Sequence, residues 1–452
     1  MEKAKRRAAL HNLGCKVNAY ETEAMGQLLE AAGYELVPFE ERADVYLVNT
    51  CSVTNMADRK SRQMLHRARK QNPEAVVVAA GCYVQAAADE IAAHGDADLV
   101  IGNNQKNRLP DLLEEYFEKR GEKQAGRAVI DIAHAGEYEE LSISRTVEHT
   151  RAFVKIQDGC NQFCSYCIIP YTRGRIRSRK KEDVLAEIRA LAGRGYKEAV
   201  LTGIHLSSYG KDLGERDALL SVIEEAAAIP GVSRIRLGSL EPGVITEEFV
   251  RRIVQVKELC PHFHLSLQSG CDSVLKRMNR HYSTAEYGEK CALLREYYEH
   301  PAITTDVITG FPGESDEEFE DTMEFLERIG FYEMHVFKYS RRKGTRAAAM
   351  AGQVPEPVKA ERSRRAIALG EQMSEEFRRY YLGRKGSLLL EEPHVIGGKT
   401  YMTGFTEEYV KGAVEMDEGA ESGAIVPVHF TEFLEKDLLK GEKGLDSRSI
   451  LY

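Results

Sequence analysis

The densest chemistry in the chain lies in Gly159-Cys160-Asn161-Gln162-Phe163-Cys164-Ser165-Tyr166-Cys167. The spacing Cys-x3-Cys-x2-Cys lets three thiolates wrap one metal site from a single loop. A closed zinc or iron–sulfur site takes four protein ligands. Three ligands from one loop leave an iron with an open position, which suits a cluster that must bind and reduce a substrate. The blander reading is a zinc knob with a remote fourth ligand, or three buried cysteines; iron content separates these.

Cys15, Cys51 and Cys82 have no short spacing but share a context. Each ends an apolar run: Ala9-Leu10-His11-Asn12-Leu13-Gly14-Cys15, Tyr46-Leu47-Val48-Asn49-Thr50-Cys51 and Val77-Val78-Ala79-Ala80-Gly81-Cys82. All strand C-termini of a parallel sheet lie on one edge, where ligands bind. Three cysteines there can converge on a second three-thiolate cluster. Singly, each would be read as a core cysteine. Cys260, Cys271 and Cys291 lack the pattern and are assigned to structure.

The elements that must position these residues follow from periodicity. In residues 1–120, the strand-length runs Ala8–Leu13, Val45–Asn49 and Val76–Ala80 alternate with helical segments such as Glu21–Ala32 and Ala57–Lys70, predicting a parallel α/β sandwich. Residues 121–150 are polar and irregular and read as a linker. Residues 151–382 give six further β/α units, with strands at Phe153–Gln157, Glu198–Ile204, Arg234–Leu237, Phe263–Leu267, Ile303–Ile308 and Glu333–Lys338. Helices at Glu182–Leu191, Thr246–Val256 and Asp316–Arg328 fall between them. This predicts a parallel barrel, complete or partial, with the Cys160 loop at its C-terminal face. Residues 383–445 read as a small all-β domain with strands Leu388–Glu391, Thr400–Gly404, Tyr409–Val414 and Ile425–Phe430.

The 452 residues, 43% hydrophobic and 29% charged, fit several globular domains. No apolar run approaches the ~18 residues of a membrane span. The basic start, Met1 to Arg7, is followed by too short an apolar segment for a signal peptide, so a cytoplasmic location is expected. Nine cysteines there point to metal or redox work rather than disulfides.

The central motif resembles that of the radical S-adenosylmethionine enzymes. In these, the open iron of a [4Fe-4S] cluster chelates the methionine moiety, and one electron releases a 5′-deoxyadenosyl radical. Further motifs narrow the resemblance to the methylthiotransferases: Gly14-Cys15-Lys16-Val17-Asn18 with Glu21 and Glu23, Asn49-Thr50-Cys51, Gly81-Cys82, Ile168-Ile169-Pro170-Tyr171-Thr172-Arg173-Gly174, Gly238-Ser239-Leu240-Glu241-Pro242, Leu267-Gln268-Ser269-Gly270 and Asp306-Val307-Ile308-Thr309-Gly310-Phe311-Pro312-Gly313-Glu314. The resemblance implies an N-terminal domain with a second [4Fe-4S] cluster, a radical barrel and a TRAM-like RNA-binding β-barrel. It implies two S-adenosylmethionine molecules, one as methyl donor and one as radical source. It places Tyr166, Gly203, Glu241, Gln268 and Asp306 around the cofactor and substrate. The stretches after Cys15 and around Cys51 resemble the branch that methylthiolates C2 of N6-threonylcarbamoyladenosine beside the tRNA anticodon; the isopentenyladenosine branch is the alternative. A low-potential donor such as flavodoxin or ferredoxin, and a sulfur source, are implied.

The net charge of −9 excludes a protein coated in positive charge but leaves room for basic stripes. Arg173, Arg175, Arg177 and Arg179 alternate, so an extended strand would put four guanidinia on one face toward RNA phosphates. Arg59, Arg62, His66 and Lys70 share a helix face, read as solvated. Residues 386–440 hold 11 acidic residues against four lysines, which departs from what phosphate binding wants.

Overall fold

The computed structural model describes residues 5–119, 126–146, 150–417 and 420–444. The first four residues, parts of the expected linker and the last residue of the expected β domain lie outside the described residues.

The first sheet contains β1 (Arg7–Asn12), β2 (Glu35–Val37), β3 (Val45–Thr50), β4 (Val76–Gly81), β5 (Leu99–Ile101) and β6 (Gly126–Ala128). Its order is β2-β1-β3-β4-β5-β6 and every pair is parallel. α1 (Lys16–Ala31), α2 (Asn55–Gln71), α3 (Cys82–His94) and α4 (Leu109–Glu118) cover it. Strand alternation feeds both faces. Tyr46, Val48, Val77 and Ala79 pack with Leu65 of α2 and Val84 of α3. Val45, Leu47, Val76 and Val78 pack with Met25 of α1 and Leu112 of α4. Burial on both faces is why these strands read as unbroken apolar runs.

α1 starts at Lys16, earlier than the expected Glu21. Asn18 and Tyr20 are weak helix formers, but burial overrides propensity: Asn18 donates to the Leu13 and Thr50 carbonyls and Tyr20 to that of Leu141. The expected linker is not free. It supplies β6, and Ile132, Leu141 and Ile143 are buried.

The second unit has β7 (Ala152–Asp158), β8 (Arg177–Ser178), β9 (Glu198–Gly203), β10 (Arg234–Leu237), β11 (His262–His264), β12 (Ala302–Thr309) and β13 (Glu333–Lys338). They form the sheets β10-β9-β7-β8 and β11-β12-β13. Isolated bridges, Ile235 to Leu259 and Leu240 to Leu265, join the two sheets into a partial barrel of six parallel strands. Its helices are α5 (Ile169–Arg173), α6 (Lys181–Gly193), α7 (Ala218–Ala227), α8 (Glu247–Ile253), α9 (Asp272–Arg277), α10 (Thr284–Tyr297), α11 (Asp316–Ile329) and α12 (Glu356–Arg379). Capping boxes of Ser283 with Glu286 and Ser315 with Glu318 start α10 and α11. No described helix is long and apolar enough to cross a membrane.

α1 belongs to two cores. Met25 and Leu29 face the first sheet, while Ala19, Tyr20 and Ala24 pack with Val154 and Ile156 of β7. This fixes the first unit over the open side of the barrel.

The last unit is a closed barrel of β14 (Lys385–Ile396), β15 (Lys399–Phe405), β16 (Lys411–Glu415), β17 (Ile425–Glu435) and β18 (Leu438–Lys443). β18, Leu-Leu-Lys-Gly-Glu-Lys, was not expected as a strand because its charges mask the alternation. The turn between β15 and β16 closes the N-terminal end of the partial barrel. There Arg234 donates to the Phe405 carbonyl at 2.9 Å and Arg236 to those of Thr406 and Glu407 at 3.1 and 2.7 Å.

Candidate active site

The Cys160 loop leaves β7 through Gly159, whose φ is +72°. A Cβ there would lie 1.8 Å from the Arg175 carbonyl oxygen, because the chain doubles back and Cys160 N–H donates to the Gly174 carbonyl at 3.0 Å. Only glycine fits. Gly159→Ala is expected to cost ~2 kcal/mol or more, read as a fall in Tm.

Cys160 and Cys164 are buried and Cys167 is half-buried, all as free thiols. Burial pushes the Cys160 thiol up to about 11 and that of Cys167 to about 12. Arg280 donates to the Cys164 sulfur at 3.2 Å and pairs with Glu241 at 2.9 Å. Burial opposes ionisation of Glu241, but the His205 hydrogen bond and Arg280 outweigh it and hold the carboxyl below its ordinary range.

The expected pocket residues fall as follows. Gly203 ends β9 against the Gln157 side chain. Glu241 follows β10 and accepts from Gln162 of the cysteine loop at 2.8 Å. Gln268 is buried in a left-handed conformation, φ +74°. Tyr166 meets Phe311 edge-on, centroids 6.5 Å apart. Asp306 lies within β12 rather than at its end, 3.3 Å from His264.

Cys15, Cys51 and Cys82 stand where expected. Cys15 caps α1, Cys51 follows β3 and Cys82 opens α3 after β4, on three adjacent strands. A Cβ on Gly14 would lie 3.0 Å from the Cys51 sulfur. Cys15 is exposed while Cys51 and Cys82 are buried; burial pushes the Cys51 thiol up to about 11, and Cys82 and Cys15 beside it push the same way. Among the described residues neither triad brings three sulfurs within 4.8 Å of one another. Two thiolates sharing one tetrahedral zinc, at Zn–S of about 2.3 Å, would sit roughly 3.8 Å apart. The wider spread disfavours a single ion and fits a multi-iron cluster.

The arginine run is corrected by the structure. Only Arg177 and Ser178 are extended, and Arg173, Arg177 and Arg179 are buried, so they present no face to RNA. Arg179 pairs with Glu187. Arg173 donates to the Cys82 sulfur at 3.3 Å, Glu21 at 2.8 Å, Asp158 at 3.1 Å and Asn18 at 2.6 Å. Arg175 alone is exposed, 4.7 Å over the Phe163 ring. The reason is charge: carboxylates from both units drew the guanidinia inward.

Around Cys82 the buried cations Lys106, Lys155, Arg173 and Arg177 meet the buried carboxylates Glu21, Asp158 and Glu139. Burial opposes ionisation of Glu21, but Arg173, Lys106 and Lys155 hold it well below its ordinary range. Of these cations Arg173 alone donates to the Cys82 sulfur. Sequence reasoning missed Lys106, Lys155 and Arg280. Lys155, a charge inside an apolar strand, was the legible signal.

Between α2, α3 and the barrel loops lies a cleft of ≈ 850 Å³ lined by Arg62, Arg127, Tyr171, Arg342 and Lys343. Arg342 bridges the units, donating to Asp58 at 2.6 Å and to Ser52, beside Cys51, at 2.8 Å.

Residues 7–102 match the uncharacterized protein family UPF0004 and residues 154–326 the radical SAM superfamily. The chain is 43% identical over 404 residues to the threonylcarbamoyladenosine tRNA methylthiotransferase MtaB of Bacillus subtilis (strain 168), covering 89% of each chain. It is 37% identical to the tRNA-2-methylthio-N(6)-dimethylallyladenosine synthase of Pelotomaculum thermopropionicum, covering 92% of this chain and 93% of that one. Among solved structures it resembles the radical S-adenosylmethionine methyltransferase TsrM of Kitasatospora setae. The TM-score is 0.56 at 16% identity, over 74% of this chain and 75% of that one, a likeness of fold.

Proposed function

This chain belongs to the radical S-adenosylmethionine methylthiotransferases, and from that membership we propose that it adds a methylthio group to C2 of N6-threonylcarbamoyladenosine beside the anticodon of tRNA. The observation that carries this reading is the 43% identity with the Bacillus relative over nearly the whole of both chains. The two cysteine triads support it, with Arg173 of the barrel unit donating to the Cys82 sulfur of the first unit.

In this reading Cys160, Cys164 and Cys167 hold one [4Fe-4S] cluster and Cys15, Cys51 and Cys82 a second. When bound, the first with S-adenosylmethionine supplies the 5′-deoxyadenosyl radical, and the second supplies the sulfur that a second S-adenosylmethionine methylates. The protein's residues orient and insulate. Arg280 and Arg173 each give an N–H to a cluster thiolate, at Cys164 and Cys82. Tyr166, Gly203, Glu241, Gln268 and Asp306 line the cofactor and substrate space. The anticodon stem-loop docks over the cleft that Arg62 and Lys343 line together with the Arg127–Asp89 and Arg342–Asp58 pairs, and the target nucleotide flips inward. The domains divide as 1–120 for the second cluster, 151–382 for radical formation and 383–445 as the TRAM-like module. The acidic composition of this last unit confines its RNA contacts to a small patch. A flavodoxin or ferredoxin delivers the electron, in the cytoplasm.

The test is nucleoside mass spectrometry of tRNA from a strain lacking the protein, before and after its restoration. The methylthio form of threonylcarbamoyladenosine is expected to vanish and return. If only the isopentenyl nucleoside changes, the substrate reading fails.

A further inference from the structure

The sheet β11-β12-β13 has two faces of different chemistry. Phe263 of β11 and Ile303 and Val307 of β12 join the core that Phe325 and Ile329 of α11 build, and Met334 and Val336 of β13 pack against it. Side chains alternate across a strand. His264, Thr304, Asp306 and His335 therefore share the opposite face, turned away from the helices. The register then gathers them: His264 stands beside Thr304, and Asp306 beside His335. One imidazole from each flanking strand meets a carboxylate on the strand between.

Ligand atoms of His264, Asp306 and His335 all lie within 4.8 Å of one another. His264 Nε2 is 3.3 Å from the Asp306 carboxylate. Two ligands of a tetrahedral zinc, with bonds of about 2.0–2.1 Å, stand about 3.3 Å apart. Despite that closeness, this buried nitrogen has no aligned hydrogen-bond partner, and an orphaned buried polar atom is costly. The other ring nitrogen, Nδ1, meets the Thr304 hydroxyl at 3.0 Å. With the ring proton donated there, Nε2 turns a lone pair toward a carboxylate, and the two repel unless a cation sits between them. A metal-binding imidazole is held in this way, its far N–H fixed by an oxygen.

His335 completes the set. Its ring lies 24° from the plane of His264 with centroids 5.7 Å apart, and it makes no hydrogen bond among the described residues. Burial holds its imidazole below the ordinary range, which favours the neutral form that ligates.

We propose that His264, Asp306 and His335 bind one divalent first-row transition ion, for which zinc is the probe. Two imidazoles and a carboxylate suit such ions, whereas magnesium and calcium take shells of oxygen. Three ligands leave one tetrahedral position open. No cysteine takes part, so the site is separate from both triads and stands independently of the methylthiotransferase reading. Through Asp306 the ion borders the space assigned above to cofactor and substrate.

The test uses the full chain with its clusters reconstituted, so that iron occupies the thiolates. Zinc is added, excess is removed by buffer exchange, and zinc and iron are counted per chain. Wild type is expected to keep about one zinc with its iron unchanged. X-ray absorption at the zinc edge is expected to show nitrogen and oxygen at about 2.0–2.1 Å and no sulfur at about 2.3 Å. His335→Ala, at an exposed position, and Asp306→Asn are each expected to weaken zinc binding at least tenfold. Thr304→Val, which removes only the oxygen that fixes His264, is expected to weaken it roughly tenfold. Sulfur in the zinc shell, or zinc gained as iron is lost, puts the ion on the cysteines and overturns the proposal. So does a wild type that keeps no zinc, a result that needs no variant to fold. Wild-type zinc affinity in His335→Ala overturns it as well.

Discussion

Cys164→Ala abolishes 5′-deoxyadenosine formation, whereas Cys82→Ala leaves it measurable and drops methylthiolated product to background. The split follows from where the two thiols stand. Cys164 shares its loop with Cys160 and Cys167 and takes an N–H from Arg280. On the proposed reading, removing it takes one of three ligands from the site that supplies the radical. Cys82 opens α3 in the other unit, held by Arg173 at 3.3 Å and Asn103 at 3.5 Å. Its loss leaves the Cys160 loop intact and, on the same reading, removes a ligand from the site that supplies sulfur. Anaerobic single-turnover assays that quantify 5′-deoxyadenosine and methylthioadenosine nucleosides together check both arms. Normal methylthiolation by Cys82→Ala would end the two-cluster assignment.

The second large effect is on stability. Arg173→Met is expected to cost about 3–5 kcal/mol, because it leaves Glu21 and Asp158 buried with fewer partners. That is a fall of roughly 10 °C in Tm for a unit of this size. Arg175→Ala, at an exposed site two residues on, is expected to change stability by about 0.5 kcal/mol or less. Calorimetry of the pair decides it: equal Tm values would mean that the Arg173 network holds nothing together. The same network sets an acid limit. Glu21 and Asp158 both titrate below their ordinary ranges once Arg173 and Lys155 outweigh burial. Carboxylates depressed in this way contribute stability above their unfolded values, and it is lost as pH falls below about 4 through the folded ones. Wild type is therefore expected to lose Tm steeply on acidification in that window.

The fate of the arginine run shows what alternation can and cannot reveal. Four arginines at every second position predict one face if the chain is extended. Nothing local says which face, or that Glu21, 152 residues away from Arg173, awaits there. β18 escaped notice because lysine and glutamate fill a strand whose neighbours, not its own residues, supply the pairing.

Local chemistry was enough for the rest. Cys-x3-Cys-x2-Cys, three apolar runs each ending in cysteine, and six further β/α units were enough to place both sets of cysteines at strand ends, because loop spacing and strand periodicity are short-range properties of the chain; the radical chemistry came from the resemblance of the motifs. Which cations lie against the cysteine sulfurs and which stay paired with carboxylates were decided by the tertiary structure. Ion pairing depends on burial and on partners brought together from remote segments, and in a low-dielectric interior those two conditions outweigh position along the chain.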